Sequence, residues 1–181
     1  MFRDLRADEI ECRVAQVKMN QTNPQYNGVS LLLYKDARCD MNILDETVGP
    51  LNWERVHTRD NANCIVSIWD EKKQSWVCKE DTGTESNTEK EKGLASDSFK
   101  RACFNWGIGR ELYTAPSIFI PAAMCTALSD SGGRWKCFDT FVVEAIRIEK
   151  KRIVALSIKN NRSGKRCFVW QDEAWKAAQN G

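Results

Sequence analysis

Alternating apolar and polar side chains predict three consecutive β-strands in the first half of the chain. The pattern covers Trp53–Thr58, Asn61–Trp69 and Ser75–Lys79, and such alternation is typical of strands with one buried face. The charged segment Asp70–Gln74 between the last two strands indicates a tight turn. Strands this close in sequence usually pair as neighbours, so we expect an antiparallel meander.

Apolar residues at helical spacing predict two helices before these strands. The first is expected at Asp8–Lys18, and the second follows the apolar segment Val29–Tyr34 and ends near Val48, before Gly49 and Pro50. The apolar positions of the two helices are, in chain order, Ile10, Val14, Val17, Ala37, Met41, Leu44 and Val48.

A third helix is predicted after the meander, between the capping-box patterns Ser86–Glu89 and Thr88–Glu91 and the stop at Trp106–Gly107. At about 100° per residue, its apolar stripe consists of Ala95, Phe99, Ala102 and Trp106. The opposite face carries Lys90, Asp97, Lys100, Arg101 and Phe104. Such a face suits a nucleic-acid backbone, because cations neutralise phosphates and a ring stacks on a base. An ordinary solvated face explains the same pattern.

The C-terminal third is predicted to be rich in strands. The expected elements are a short strand at Ser117–Ile120, a small helix or loop at Met124–Gly133, strands at Phe138–Ile148, Ile153–Lys159 and Cys167–Trp170, and a last helix at Asp172–Gln179. We expect these strands to extend the sheet of the meander. The fold predicted is α+β: an antiparallel sheet with a β-β-β-α core, helices packed on one side, and a C-terminal strand extension. It forms one domain over residues 1–181, with a core at about 8–120 and a basic extension at 121–181.

Composition indicates a globular chain in a reducing cytoplasm. Of 181 residues, 42% are hydrophobic, which is enough for a packed core. We expect neither a signal peptide nor a membrane span, because the N-terminus is charged and no apolar run approaches about 20 residues. The eight cysteines include no C-x-x-C pair and His57 is the only histidine, so buried free thiols are expected rather than a Cys/His zinc site.

Charge is distributed unevenly although the net charge is only +2. Residues 121–181 carry 11 Lys and Arg against 6 Asp and Glu, whereas residues 1–120 carry 16 against 19. A basic end on an acidic body fits a surface that faces phosphates, and ordinary scatter along the chain accounts for it equally well.

Two sequence blocks resemble the single-strand annealing proteins, the eukaryotic Rad-fifty-two-type recombination mediators and the phage Sak-type recombinases. The first block is Leu33–Trp53, a helix followed by a Gly-Pro turn and a strand that opens on Trp. The second begins at Lys79–Ser86, passes through Lys100-Arg101-Ala102 and ends in the turn Trp106–Tyr113. With the strands between them, the resemblance covers roughly residues 8–120.

This resemblance implies ATP-independent binding of single-stranded DNA and annealing of complementary strands in homologous recombination and DNA repair, as in a phage or prophage recombinase. It also implies assembly into a ring or helical filament and no cofactor. A single-strand binding protein or exonuclease of the same phage is a further expected partner, in the cytoplasm of a bacterial host. The matching positions Arg38, Lys100 and Arg101 are expected to line a groove that grips the DNA backbone and leaves the bases outward.

One position departs from the family pattern. Human-type members carry a further arginine one turn after the basic pair, where this chain has Phe104. Its ring is expected to stack on a base or to pack on a neighbouring subunit, and Arg110 and Lys90 are further candidates for DNA contact. A second DNA site is assigned to Lys150, Lys151, Arg152, Arg162, Lys165 and Arg166, although solvated hairpin tips account for the same residues.

Enzyme signatures are scarce, so we expect a binding protein without a covalent reaction. No G-x-x-x-x-G-K-[ST] loop is present, and a Ser-His-Asp site would depend on His57 alone. Charged turns account for a group of carboxylates that a metal-dependent nuclease could also use. These are Asp70, Glu71, Glu80, Asp81, Glu85 and Glu89. A DNA protector without annealing activity is the other alternative.

Overall fold

The chain folds as an α+β protein, as the sequence predicts. The computed structural model describes residues 1–20, 22–84 and 90–179, with all side chains in these ranges except those of residues 90–92 and 131. The strands are β1 Glu11–Lys18, β2 Gly28–Tyr34, β3 Trp53–Thr58, β4 Asn63–Asp70, β5 Ser75–Thr82, β6 Ile118–Pro121, β7 Leu128–Ser131, β8 Arg134–Cys137, β9 Phe141–Glu149, β10 Arg152–Asn160 and β11 Arg166–Gln171. The α-helices are α1 Ala37–Val48, α2 Lys90–Asn105 and α3 Glu173–Gln179. None of the described helices has the length and apolar character needed to cross a membrane.

Two compact units divide the chain. The first contains residues 1–4 and 35–110, and the second contains residues 5–34 and 111–181. The expected limit between a core at about 8–120 and an extension at 121–181 coincides with none of these boundaries. The assignment of a single domain stays a prediction.

The first unit is built on the predicted β-β-β-α core. Strands β3, β4 and β5 form an antiparallel meander, with Trp53 opposite Ile68 and Trp69 opposite Trp76. Helix α2 packs against β4 and β5. The core between these elements contains fully buried Val66.

Helix α1 begins and ends at residues suited to those positions. The Asp36 carboxylate accepts a hydrogen bond of 2.9 Å from the Cys39 backbone N–H, which caps the first turn. Gly49 follows the last turn at φ +87°, a conformation that costs glycine little. Ile43 and Leu44 are fully buried between these ends.

The second unit contains a six-stranded antiparallel sheet in the order β11-β10-β9-β1-β2-β6. The prediction that the C-terminal strands extend the meander is therefore wrong. Strand β9 pairs with β1, and β6 pairs with β2, so the C-terminal strands join strands from the start of the chain. Such non-local pairing leaves no signal in the local pattern.

Strand β1 replaces the helix predicted at Asp8–Lys18, of which only a short 3-10 turn at Ala7–Glu9 is helical. The pairing of β1 with β2 shifts register between Val14 and Gln16, where a β-bulge inserts one extra residue. The bulge puts Val17 on the same face as Val14. Val14 and Val17 are therefore three residues apart on one face of a strand, a spacing that is also typical of a helix.

The segment predicted as a small helix or loop at Met124–Gly133 begins at the last residue of a 3-10 turn, Ala122–Met124, and contains the first strand and the turn of the β7–β8 hairpin. Gly132 and Gly133 make its turn with φ values of +67° and +82°. The Asp130 carboxylate accepts a hydrogen bond of 2.8 Å from the Gly133 N–H. Two adjacent glycines are typical of a hairpin turn, so the sequence indicates this turn. The two short strands on either side of it were not predicted.

Candidate nucleic-acid interface

The buried face of α2 is the one predicted from its periodicity. Phe99 and Ala102 are fully buried, and the Phe99 ring stacks on Trp53 with the two centroids 6.1 Å apart. The Trp106 indole N–H donates a hydrogen bond of 3.1 Å to the Val66 carbonyl. These contacts fix the rotation of α2 about its axis and direct its polar face away from the sheet.

The two cations on that polar face differ in their surroundings. Arg101 Nε donates a 3.3 Å hydrogen bond to Asp97, one helical turn earlier, and Asp97 also accepts one of 2.9 Å from the Thr84 N–H. Lys100 makes no hydrogen bond or ion pair within the described part of the chain. Arg101 therefore offers a phosphate a charge that Asp97 partly balances, whereas Lys100 forms no direct ion pair with the residues that the structure describes. The side chain of Lys90, the third predicted cation, lies outside the described residues.

Helix α1 presents Arg38 to solvent. The helical spacing places it opposite the buried residues Ile43 and Leu44. Asp36, the nearest acid before it, is engaged in capping the helix. Among the residues described, Arg38 makes no hydrogen bond or ion pair. Its charge is therefore available to an external anion.

A buried ion pair between Lys35 and Asp40 lies beside this surface and was not predicted. The Lys35 ammonium donates to both Asp40 carboxylate oxygens, and only 7% of the Lys35 side chain is exposed. Burial raises the pKa of Asp40 to about 6, against the opposing effects of Lys35 and then Lys100. The last of these effects places Lys100 near the Asp40 carboxylate, where α1 and α2 are in contact.

Gly109 makes room for this ion pair. Its φ is +73°, and a Cβ atom there would lie 2.1 Å from Cε of Lys35. The sequence marks Gly109 as a turn residue, but the close approach of the lysine stem becomes visible only in the folded chain. Any larger residue would have to displace a buried charged side chain.

Arg110 caps the C-terminus of α2. Its guanidinium donates hydrogen bonds of 2.8 Å to the Phe104 carbonyl and 2.9 Å to the Asn105 carbonyl, and it lies 5.5 Å from the Phe104 ring centroid. Lys79 donates a second hydrogen bond, of 2.8 Å, to the Asn105 carbonyl. Cations at this end complement the helix dipole. Phe104 is thus half-buried rather than exposed, and Arg110 has a structural role that the sequence did not indicate.

The residues assigned to a second DNA site do not form one surface. They lie at opposite ends of β10, whose nine residues span about 26 Å. Lys150, Lys151 and Arg152 are at one end, and Arg162, Lys165 and Arg166 are at the other. Lys151 Nζ lies 3.9 Å from the buried Glu111 carboxylate, and Arg166 pairs with Glu144. Both contacts give structural roles to cations that were predicted to bind DNA.

His57 lies close to a serine that the sequence did not connect with it. Its Nδ1 is 3.4 Å from the Ser98 hydroxyl, which donates a 2.9 Å hydrogen bond to the Asn61 carbonyl. Burial, followed by the charge of Arg55, lowers the pKa of His57. The Ser98 hydroxyl lies closer to the Asn61 carbonyl than to the imidazole, and this contact ties the β3–β4 loop to α2.

The carboxylates considered for a nuclease mostly order turns. Asp70 accepts hydrogen bonds from the N–H groups of Lys72 and Lys73, and Asp81 accepts one from the Thr82 N–H. Within the described ranges, no three of these acids lie close enough together to share a metal ion. Glu85 and Glu89 lie outside the described residues.

Comparisons with protein-family models, with curated proteins and with solved structures found no match.

Proposed function

We propose that this chain binds single-stranded DNA and anneals complementary strands without ATP, in homologous recombination. The observation that carries the proposal is the pair Arg38 and Lys100, two cations without ion pairs within the described residues. They belong to two contacting helices of one compact unit. Arg3, Lys35 and Lys73 of that unit are paired with carboxylates. The exposed cations Arg59 and Lys72 form no ion pair within the described residues either, but they lie in the turns of the meander and not on the two helices.

Annealing requires a surface that holds phosphates and leaves base edges free to pair. Cations on helix faces satisfy the first requirement, since they neutralise the backbone without reading the bases. Phe104 lies half-buried near the end of α2, with the Arg110 guanidinium over its ring. A base could stack there without losing its Watson–Crick edge.

A few cations in one subunit bind DNA weakly, so the proposal includes a homo-oligomer. Repeating the same surface along one strand multiplies weak contacts through effective concentration. A ring or a helical filament would satisfy this requirement. The proposed setting is the cytoplasm of a bacterium that carries the phage or prophage.

The experiment that tests this function mixes two complementary labelled oligonucleotides with the purified chain and no nucleotide. Faster pairing than in buffer is the expected result. If the chain binds the strands but slows their pairing, it protects single-stranded DNA instead of annealing it. If the strands become shorter in the presence of Mg²⁺, the chain is a nuclease and not an annealing protein.

Matched variants connect that activity to the surface. Arg38→Ala/Lys100→Ala is expected to lose the acceleration. Lys72→Ala removes an exposed cation from the β4–β5 turn and is expected to retain it. Equal loss in both variants would mean that general charge, rather than this surface, binds the DNA.

A further inference from the structure

Three potential metal ligands converge at the base of the β7–β8 hairpin. Cys125 lies shortly before β7, Cys137 ends β8, and Asp139 follows two residues later. The Sγ atoms of both cysteines and a carboxylate oxygen of Asp139 all lie within 4.8 Å of one another. The Phe138 N–H donates a 2.8 Å hydrogen bond to the Ala127 carbonyl, which closes the hairpin between them.

The spacing of these atoms fits a tetrahedral zinc ion. Two thiolates on one zinc are about 3.8 Å apart, given Zn–S bonds of about 2.3 Å. From the observed limit of 4.8 Å, the two sulfur atoms therefore need to approach each other by about 1 Å at most. Thiolates favour zinc over the oxygen-preferring Mg²⁺ and Ca²⁺.

Asp139 is held in place by groups that would act as an outer shell for the ion. Asp139 is 5% exposed, and its carboxylate accepts hydrogen bonds from the N–H groups of Thr126 at 2.7 Å and Ala127 at 3.2 Å. The Thr126 hydroxyl donates to its other oxygen. Metal sites commonly use such hydrogen bonds to orient a ligating carboxylate.

The fourth ligand lies outside this cluster, because the atoms within 4.8 Å of one another come from Cys125, Cys137 and Asp139. A water molecule would complete four-coordination, the usual number for zinc.

We propose that Cys125, Cys137 and Asp139 bind a zinc ion that fastens the base of the β7–β8 hairpin. The sequence concealed this site because the two cysteines lack C-x-x-C spacing and come together only when the hairpin closes. The site lies in the second unit, and its occupancy does not depend on the proposed DNA function.

The test measures zinc on the full chain after dialysis against zinc and then against metal-free buffer. Wild-type protein is expected to retain one zinc ion per chain by elemental analysis. In Cys125→Ser and Cys137→Ser the zinc affinity should fall by more than about tenfold, since even outer-shell changes cost 10–100-fold. Cys78→Ser, which alters an exposed thiol on β5, is the matched control and should bind like wild type.

Cobalt substitution in the wild-type chain gives a readout that needs no variant. Co²⁺ bound to thiolates should produce a ligand-to-metal charge-transfer band and the intense visible bands of tetrahedral geometry. A wild-type chain that takes up neither ion after reduction, or a cysteine variant that binds zinc like Cys78→Ser, would overturn the proposal. A Cys125–Cys137 disulfide in place of metal uptake would also overturn it.

Discussion

Removing Arg38 or Lys100 should weaken single-stranded DNA binding more than removing Arg101, although Arg101 is adjacent in sequence to Lys100. Each phosphate contact on a single strand contributes about 0.7 to the slope of log K against log salt. Loss of one contact per subunit should therefore lower the slope by about 0.7, which is about 2.6-fold in affinity between 50 and 200 mM salt.

The smaller effect expected for Arg101→Ala follows from its 3.3 Å contact with Asp97. A phosphate must compete with that carboxylate, and an exposed pair of this spacing is worth about 0.3–0.5 kcal/mol. Asp97 therefore already supplies, in the free protein, part of the electrostatic stabilisation that a phosphate would give to Arg101. The three single variants should unfold at nearly the wild-type temperature, because none of these side chains is buried.

The assay is fluorescence anisotropy of a labelled oligo-dT strand, titrated with each variant at several salt concentrations. Lys72→Ala serves as the control, with an unchanged slope per subunit. The reasoning is refuted if Arg38→Ala and Lys100→Ala keep the wild-type slope, or if Arg101→Ala lowers it more than either of them does.

Three further predictions concern other parts of the molecule. The pKa of Asp40 is about 6 in the folded chain, above its unfolded value, so the stabilisation from the protonated carboxyl is present at pH 4 and is lost as pH rises through 6. Over that range, chemical denaturation should show that the wild type loses of order 2 kcal/mol of unfolding free energy relative to Asp40→Asn. Parallel curves of stability against pH for the two proteins would contradict this prediction. Lys151→Met should cost about 1–3 kcal/mol, because it removes the ammonium that faces Oε2 of the buried Glu111, an oxygen without a hydrogen-bond partner among the described residues. Lys150→Met in the same turn should cost almost nothing, and equal melting temperatures of the two variants would count against the pair. Phe104→Ala should weaken DNA binding or reduce the oligomer mass in light scattering, and no change in either would leave the ring a packing role only.

The parts of the fold that the sequence predicted are those encoded by neighbouring residues. The β3–β5 meander and the buried face of α2 follow from alternation, helical spacing and glycine stops, all of which act over a few residues. The strands β9, β10 and β11 were predicted for the same reason. Their sheet was not, because pairing with β1 joins residues more than a hundred positions apart.

The same distinction applies to the candidate site. Periodicity placed Lys100 and Arg101 on the polar face of α2, and the i, i+4 spacing of Asp97 and Arg101 could have revealed their ion pair. The burial of Lys35 with Asp40 had no such signal. Lys35 precedes α1 and Asp40 lies in its first turn. The two side chains become buried only when α1 and α2 pack together, and this packing depends on the whole unit.

The central claim is that this chain anneals DNA. It is tested most directly by measuring how fast two labelled complementary strands pair in the presence of the chain and without nucleotide. The particle mass is measured on the same sample. The account predicts faster pairing by a large homo-oligomer, and loss of that acceleration in Arg38→Ala/Lys100→Ala. Pairing no faster than in buffer, with the wild-type chain folded and saturating the DNA, would contradict it.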